Sequence, residues 1–327
     1  MSKQQKQLLE LKNLTKYYPI RKGLLSRIAG YVYAVDGVSF SIYEGETLGL
    51  VGESGCGKST VGRTILRLID PTAGEIFWCG ERIDGLSRNE MRPFRKEIQA
   101  VFQDPYSSLN PRMRAADIVS EPLRNFEKLS QAQGRDRVSK LFALVGLRPD
   151  QMLRYPHEFS GGQRQRLGIA RALSVKPKLI MCDEPVSALD VSVQAQVINL
   201  LGDLQQEFGV SYLFIAHDLA VVKHISHRIA VMYLGRVVEL AVTDELFKRP
   251  SHPYTEALLS AVPIPDPTKQ RKQIVLGGDV PSPINRPSGC HFHTRCIYAQ
   301  ARCKVEEPTL EEMSPGHFVA CHFKLNT

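Results

Sequence analysis

The sequence predicts an α/β fold with a nucleotide-binding core and an N-terminal antiparallel β-subdomain. A glycine-rich segment at residues 52–59 separates a short apolar run from a stretch with helical apolar spacing. Apolar runs alternate with helical patterns from Leu179 to Val238, as a mostly parallel sheet with crossover helices requires. The segment from about Asp104 to Ser174 is predicted to be a mainly helical insertion.

The glycine-rich segment has the spacing of a phosphate-binding P-loop. It follows a predicted strand at Glu46–Val51 and precedes helical spacing from Val61 to Ile69. Glycine lets backbone N–H groups face the phosphates, and the start of the helix adds a positive dipole end. Lys58 neutralises phosphate charge, and Ser59 is placed for Mg²⁺. The predicted nucleotide-binding residues are Gly52, Ser54, Gly55, Cys56, Gly57, Lys58, Ser59 and Thr60. The helix start also favours a thiolate at Cys56.

A second glycine-containing helix start follows about a hundred residues later. Ser160, Gly161, Gly162 and Gln163 precede an apolar-patterned helix at 164–173. Ser160 is a suitable N-cap, and the two glycines leave the first N–H groups accessible to phosphate. This segment is predicted to bind an anion.

Two later apolar runs end in polar side chains. Leu179–Cys182 is followed by Asp183 and Glu184, and the run at 211–216 is followed by His217. A buried strand delivers such groups to the carboxyl edge of a parallel sheet. Asp183 is predicted to hold Mg²⁺, and Glu184 to orient or deprotonate a water molecule. Gln103, after the run at 98–102, is a further ligand for Mg²⁺ or water.

Length and composition limit the class of protein. The 327 residues suggest about two domains, and 43% hydrophobic residues is ordinary for a folded protein. No apolar run approaches the roughly 18 residues of a membrane span, and the first ten residues are not signal-like, so a cytoplasmic location is expected. The net charge of +8 favours a solvated or membrane-apposed surface over nucleic-acid binding, because no groove-reading motif is present.

Four of the seven cysteines are close together near the C-terminus. Cys56, Cys79 and Cys182 are scattered and are predicted to be buried thiols. Cys290, Cys296, Cys303 and Cys321 follow a C-x₅-C-x₆-C-x₁₇-C pattern, which favours a metal site but matches neither common zinc ribbons nor ferredoxins. Four unrelated reduced thiols are the alternative. The proline-rich stretch at 262–288 is expected to separate these cysteines from the nucleotide-binding part.

Taken in order, these motifs resemble those of an ABC-transporter ATPase from Leu8 to about Arg249. The resemblance implies a P-loop, a Q-loop with Gln103, a signature at Ser160–Gln163 that begins with Phe159 where leucine is more common, a Walker B motif ending in Asp183 and Glu184, a D-loop with Asp190, and a switch histidine, His217. It implies ATP and Mg²⁺ as ligands, with Mg²⁺ held by Ser59, Gln103 and Asp183, and catalysis by Glu184, His217, Lys58 and Gln103.

The same resemblance implies that two ATPase subunits enclose ATP at their interface. Ser160, Gly161, Gly162, Gln163 and Asp190 would then contact the partner's nucleotide in trans, whether the partner is a paralogue or a second copy. The aromatic residue that stacks on adenine would be Tyr18, with Tyr17, Tyr31 and Tyr33 as alternatives.

Within that family the chain most resembles ATP-binding subunits of oligopeptide and dipeptide importers. The stretches that match are Gln103–Arg112, Arg249–Thr255 and the terminal cysteines. The resemblance implies an ATPase domain at 1–250, a C-terminal region at 251–327, and a four-iron four-sulfur cluster on the four cysteines. Zinc is the other possible metal, with His291, His293, His317 and His322 as spare ligands.

The implied partners are a second ABC ATPase subunit, two transmembrane permeases that contact Gln103–Arg112, and a periplasmic or extracellular peptide-binding protein. The implied location is the cytoplasmic face of the inner membrane. A soluble ABC ATPase acting on nucleic acid or ribosomes is the competing class, and a catalytically dead scaffold is disfavoured by intact Lys58, Asp183, Glu184 and His217. Nickel chelates or opine-like compounds are alternative cargoes.

Overall fold

The computed structural model describes residues 6–23, 26–104, 108–262 and 273–326. The chain divides into two compact units. The P-loop unit comprises Gln7–Ile42, Thr47–Asp84 and Ala216–Thr327, and the helical unit comprises Met1–Lys6, Tyr43–Glu46 and Gly85–Ile215. The predicted domain boundary at residue 250 stays a prediction.

The secondary structure is mixed, with strands and helices that alternate through much of the chain. The strands are β1 (Gln7–Lys22), β2 (Arg27–Tyr43), β3 (Thr47–Val51), β4 (Ala73–Trp78), β5 (Glu81–Arg82), β6 (Ile98–Val101), β7 (Leu179–Asp183), β8 (Ser211–Ala216), β9 (Arg228–Tyr233), β10 (Arg236–Val242), β11 (Glu311–Ser314) and β12 (His317–Val319). The α-helices are α1 (Lys58–Ile65), α2 (Arg92–Glu97), α3 (Ala115–Phe126), α4 (Gln131–Leu144), α5 (Gly161–Leu173), α6 (Val191–Phe208), α7 (Leu219–Ile225), α8 (Thr243–Lys248), α9 (Pro253–Ser260) and α10 (Ala301–Val305). Short 3₁₀ helices lie at Pro149–Leu153 and Pro156–Glu158.

The P-loop unit contains the predicted antiparallel subdomain, in the strand order β2-β1-β4-β5. In β1, Leu9 pairs with Trp78 and Leu11 pairs with Ile76 of β4. All four of these side chains are buried. The alternation of apolar and polar residues along β1 therefore places one face of this sheet in a core.

The same unit also contains β3, β9, β10, β12 and β11, hydrogen-bonded in that order. β3 and β9 are parallel, and each of the remaining neighbouring pairs is antiparallel. Every residue of β3 is buried, as its continuous apolar run predicts for a parallel strand. It begins one residue later than predicted and leads directly into the P-loop.

The C-terminal region adds strands to this sheet, which the sequence did not indicate. In β12, Val319 pairs with Glu239 and Phe318 with Leu240 of β10. Beyond the sheet, the Tyr33 N–H donates to the Pro283 carbonyl at 3.1 Å. Residues 263–272 of the proline-rich stretch lie outside the described residues. For the described part, the expected separation of the tail from the nucleotide-binding part is wrong.

Glu239 connects three elements of the P-loop unit through one buried carboxylate. It accepts hydrogen bonds from the Ser251 N–H at 2.8 Å, the His252 N–H at 2.9 Å and His317 Nε2 at 2.8 Å. Its side chain is fully buried. Ser251 and His252 precede α9, and His317 begins β12, so this carboxylate joins β10 to both. Burial also lowers the pKa of His252 to about 4.

The helical unit contains three parallel strands in the order β6-β7-β8. The chain between β6 and β7 contains α3, α4 and α5, as the predicted helical insertion requires. Helix α5 begins at Gly161, three residues before the predicted start, because Ser160 caps it. The predicted α/β class with an antiparallel subdomain and a helical insertion is confirmed. In the part of the chain that the structure covers, no helix combines the length and apolarity needed to cross a bilayer.

Candidate functional site

Two glycines of the P-loop cannot be replaced without moving the backbone. Gly52 has φ +152°, and a Cβ there would lie 2.1 Å from the Met232 carbonyl oxygen. Gly57, the N-cap of α1, has φ +108°, and its Cβ would lie 2.0 Å from the Ala34 carbonyl oxygen. The glycines therefore permit both the left-handed turn and the close contact with neighbouring backbone.

Lys58 is the first residue of α1, and its ammonium group lies against the loop itself. Its Nζ donates to the carbonyls of Gly52 at 2.7 Å and Glu53 at 3.0 Å. Ser59 and Thr60 are half-buried in the first turn of α1, whereas Ser54 and Gly55 are exposed at the tip of the loop. The loop thus presents a cation and the start of a helix at one place, the arrangement that binds phosphate.

Cys56 does not have the thiolate character expected from its position. Its side chain is only 4% exposed, and Cys182 is buried as well, whereas Cys79 is exposed, so the prediction of a buried thiol is wrong for Cys79. Burial raises the pKa of the thiol, and the Lys58 ammonium, whose Nζ donates to Sγ at 3.8 Å, only partly opposes that effect. The predicted thiolate is wrong because desolvation outweighs the opposing effect of Lys58.

Glu53, which the sequence analysis did not select, is held from the C-terminal part of the chain. Its carboxylate accepts two hydrogen bonds from Arg295, at 2.7 and 3.0 Å. Its N–H donates to Tyr254 Oη at 2.9 Å. Tyr254 lies in the stretch Arg249–Thr255, which the sequence analysis selected only for its resemblance to the peptide importers. No local pattern links residues so far apart in sequence.

The four aromatic residues proposed for adenine differ in their surroundings. Tyr17 Oη donates to the Asp36 carboxylate, which also accepts from Arg236 and Arg286. The Arg286 guanidinium lies 3.9 Å from the centre of the Tyr33 ring, which covers one face of that ring. Tyr18 and Tyr31 are each 37% exposed. The choice of Tyr18 stays a prediction, and Tyr31 is the alternative with comparable exposure.

In the helical unit, Gln103 and Glu184 are brought together. Gln103 Nε2 donates to Glu184 Oε2 at 2.9 Å. Glu184 directly follows β7 and has a left-handed φ of +45°, a conformation that is strained for a glutamate and frequent at active sites. Its N–H donates to the Ile215 carbonyl at 2.9 Å, and Ser187 Oγ donates to its carbonyl at 3.1 Å. Seven other non-glycine residues of the described chain also have positive φ, so the role predicted for Glu184 rests on its motif and on its hydrogen bond with Gln103.

Asp183 and His217 lie at the ends of strands, as predicted, and Asp190 lies at the start of a helix. Asp183 is the last residue of β7 and is buried. Asp190 is exposed at the N-cap of α6, and it makes no side-chain capping hydrogen bond there. His217 follows β8 and is exposed. Their roles toward nucleotide stay predictions.

The Ser160–Gln163 segment forms a capping box at the start of α5. Ser160 Oγ accepts from the Gln163 N–H at 3.3 Å, and the Ser160 N–H donates to Gln163 Oε1 at 3.0 Å. A Cβ at Gly162 would lie 2.4 Å from Val193 Cγ1, so this glycine allows close packing against the first turn of α6. Phe159 is buried, so the aromatic residue at this position acts in packing.

The four C-terminal cysteines converge on one small cavity. The cavity, of about 10 Å³, is lined by all four and by His293 and His322. Burial raises the pKa of Cys290 and of Cys321 to about 11. The Cys290 N–H also donates to the Cys303 carbonyl at 2.9 Å, which brings two distant segments together. The four thiols therefore form one group, and the donor set suits a thiolate-bound metal or cluster.

The cysteines and the nearby histidines were also compared with the arrangement that a metal site requires. Within the described ranges, no three histidine, cysteine, aspartate or glutamate side chains are arranged to hold a metal ion. His317 is bonded to Glu239, and His293 Nδ1 lies 2.8 Å from the Cys290 carbonyl. The pKa of His291 is lowered to about 4 by burial and by Arg236 and Arg286. In the described residues the four thiols are thus near one another but are not arranged as a metal site.

Comparisons with known proteins agree with this geometry. A model of the ABC transporter family matches residues 35–187, and a model of the oligopeptide/dipeptide transporter C-terminal region matches residues 238–303. The chain is 57% identical over 317 residues to the probable peptide ABC transporter ATP-binding protein y4tS of Sinorhizobium fredii, covering 97% of this chain and 90% of that protein. It is 56% identical over 321 residues to the oligopeptide transport ATP-binding protein AppF of Bacillus subtilis, covering 97% and 98%.

A solved structure gives the same result for the fold. A dimeric ATP-binding cassette in a post-hydrolysis state, bound to ADP and phosphate, matches with a TM-score of 0.65 and 31% identity over 72% of this chain and 99% of that chain. The chain therefore belongs to the ABC transporter family, as an ATP-hydrolysing cassette that carries the oligopeptide/dipeptide transporter C-terminal region.

Proposed function

We propose that this chain is the ATP-hydrolysing subunit of an importer for di- or oligopeptides. The hydrolytic part of this proposal rests most on the hydrogen bond from Gln103 to Glu184, which orients the carboxylate that the motif assigns to hydrolysis. The transport part rests on relatives that are named as peptide transport ATP-binding proteins. The match of residues 238–303 to a region described for oligopeptide and dipeptide transporters supports the cargo class.

Within the proposed cycle, the residues of the P-loop bind the phosphates. Lys58 exchanges the Gly52 and Glu53 carbonyls for β- and γ-phosphate oxygens, while the first N–H groups of α1 face the same charge. By the motifs, Ser59, Asp183 and Gln103 would hold Mg²⁺, which when bound would neutralise charge on the phosphates. Tyr18 stacks on adenine. These roles follow the motifs.

Hydrolysis is assigned to Glu184 with His217. Glu184 orients a water molecule and accepts its proton, and Gln103 keeps the carboxylate directed by its 2.9 Å hydrogen bond. His217 bonds the γ-phosphate. The nucleotide of a second ATPase subunit is contacted by Ser160, Gly161, Gly162, Gln163 and Asp190. ATP binding therefore closes a dimer, and hydrolysis opens it.

The further partners follow from this role. Two permeases would supply the membrane-spanning helices and contact Gln103–Arg112, of which residues 105–107 lie outside the described residues. A periplasmic or extracellular binding protein would deliver the peptide. The chain would act at the cytoplasmic face of the inner membrane, without nucleic acid as a partner.

We infer further that Cys290, Cys296, Cys303 and Cys321 bind a four-iron four-sulfur cluster. The support is their convergence on one cavity, lined on one side by Phe292. When bound, the cluster would cross-link the C-terminal segments. Metal analysis of anaerobically purified protein should find about four irons per chain, and serine at any one of the four positions should abolish the visible absorbance. One zinc and no iron would replace the cluster by zinc, and absence of metal would leave four reduced thiols.

The proposed cargo is tested by uptake in a strain that lacks this chain. Labelled di- and oligopeptides, a nickel chelate and an opine are supplied separately, with the wild-type chain or a Glu184→Gln chain returned on a plasmid. Peptide uptake should be restored by the wild type alone. Restored uptake of only the chelate or the opine would change the cargo, and ATPase activity that is stimulated by RNA or ribosomes would favour the competing class.

A further inference from the structure

The loop between Cys290 and Cys296 contains an arginine that contacts the P-loop. Arg295 is 9% exposed, and its guanidinium makes two hydrogen bonds with the Glu53 carboxylate, at 2.7 and 3.0 Å. Two parallel N–H to oxygen bonds between an arginine and a carboxylate are among the strongest and most directional polar contacts in proteins. The contact joins residues 242 positions apart.

This pair completes the immobilisation of Glu53. The N–H of Glu53 donates to Tyr254 Oη at 2.9 Å, its carbonyl accepts from Lys58 Nζ at 3.0 Å, and Arg295 holds its carboxylate. All three polar groups of a single loop residue are therefore fixed. Because Lys58 is one of the donors, the position of Glu53 also determines where the phosphate-binding ammonium rests.

Closely packed aromatic rings lie behind Arg295. Tyr233, Tyr254 and Phe292 are fully buried, and their ring centres lie 4.7 to 5.3 Å apart. The Arg295 guanidinium lies 6.0 Å from the centre of the Tyr233 ring. Phe292 lies in the same loop as Arg295, so packing of the aromatic group fixes that loop against the strand and helix that face the P-loop.

The charge of Arg295 has a separate consequence. Without it, Glu53 would place an unneutralised negative charge in the loop that receives the triphosphate. At the effective dielectric of about 20 that applies near protein surfaces, a unit charge about 12 Å from a charge on the bound anion lowers the affinity by about tenfold, and a shorter distance gives a larger effect. Arg295 offsets this charge from the C-terminal cysteine region, outside the P-loop itself.

We propose that Arg295 is a positioning residue of the ATP site, which neutralises Glu53 and fixes the P-loop from the C-terminal cysteine region. The ATP affinity of this cassette then depends on a residue outside its nucleotide-binding motifs. Arg295 acts through Glu53 and takes no part in the chemical step.

The test compares Arg295→Gln with a matched control in the full chain. The control is Arg302→Gln, because Arg302 lies in the same region and pairs with Glu306 on the surface. For each variant the KM for ATP, the kcat and the equilibrium affinity for a fluorescent ATP analogue are measured. Arg295→Gln should raise KM and the dissociation constant by about tenfold and change kcat by less than about threefold. Arg302→Gln should match the wild type.

A double variant separates charge from simple loss of structure. Glu53→Gln in the Arg295→Gln chain removes the unneutralised carboxylate and should return KM to within about threefold of the wild type. A structural role alone gives no such rescue. Arg295→Lys keeps the charge but loses the paired hydrogen bonds, so it should give an intermediate KM.

Two results would overturn the proposal. The first is a KM for Arg295→Gln within about twofold of the wild type, and the second is a KM for the double variant that is as high as that of Arg295→Gln alone. If Arg295→Gln does not fold, Arg295→Lys decides, because an unchanged KM in that variant would exclude a positioning role.

Discussion

Replacement of Glu184 by glutamine isolates the chemical step from binding. Glutamine keeps the shape of the side chain and an oxygen that can accept the 2.9 Å hydrogen bond from Gln103 Nε2. The amide has no basicity, so it cannot accept the proton of the attacking water. Because a positioned general base contributes about 10²–10⁴-fold, kcat should fall by at least about 10²-fold, or about 2.7 kcal/mol of transition-state stabilisation.

The ground state should change little. Glu184 is half-buried and its hydrogen bond is retained, so the free energy of unfolding should change by no more than about 0.5 kcal/mol. ATP affinity should be preserved, and the ATP-bound dimer should accumulate because it no longer opens after hydrolysis.

The assay is phosphate release at saturating Mg-ATP, with nucleotide affinity and light scattering measured on the same preparation. Glu207→Gln is the matched control, since Glu207 is exposed near the end of α6. A kcat for Glu184→Gln within about threefold of the wild type, at unchanged affinity, would remove Glu184 from the role of base.

Three further predictions concern the P-loop unit. Lys58→Ala should raise the dissociation constant for ATP by about tenfold or more, because it removes the cation of the phosphate cradle. Nucleotide titration measures this constant, and an unchanged affinity would refute the role of Lys58. Alkylation of Cys56 at neutral pH should be slower than alkylation of the exposed Cys79, and it should accelerate as the pH rises toward the raised pKa of Cys56. Peptide mapping of the labelled protein measures both rates. Faster labelling of Cys56 than of Cys79 would contradict its burial. Glu239→Ala should lower the free energy of unfolding by about 3–5 kcal/mol in denaturant titrations, because three buried donors lose their acceptor. Glu207→Ala is the control and should have little effect. Equal effects of the two substitutions would refute the role of the buried network.

The sequence predicted what local chemistry determines. β3 and β8 were predictable because a continuous apolar run that ends in glycine or in a polar residue has few alternatives in an α/β chain. Ser160 was predictable as a cap because the capping box lies within four residues.

Features that depend on distant contacts were not predictable. The Arg295–Glu53 pair and the pairing of β12 with β10 join segments that share no local pattern. Cys56 shows the same limit in another way, because its position favours a thiolate while its burial, which only the fold determines, raises the pKa. The convergence of four cysteines was suggested by their clustering, but their spacing did not define a ligand.

The central claim is that this chain hydrolyses ATP, with Glu184 as the base, to drive peptide import. The most direct measurement uses the chain assembled with its permeases and second ATPase subunit in proteoliposomes, with peptide-loaded binding protein on the opposite side. Peptide accumulation and phosphate release are recorded together. We expect ATP-dependent accumulation with the wild-type chain and none with Glu184→Gln when both ATPase subunits contain the corresponding change. Two results would contradict this role: peptide accumulation by the Glu184→Gln assembly at the level of the wild type, or phosphate release that peptide-loaded binding protein does not stimulate.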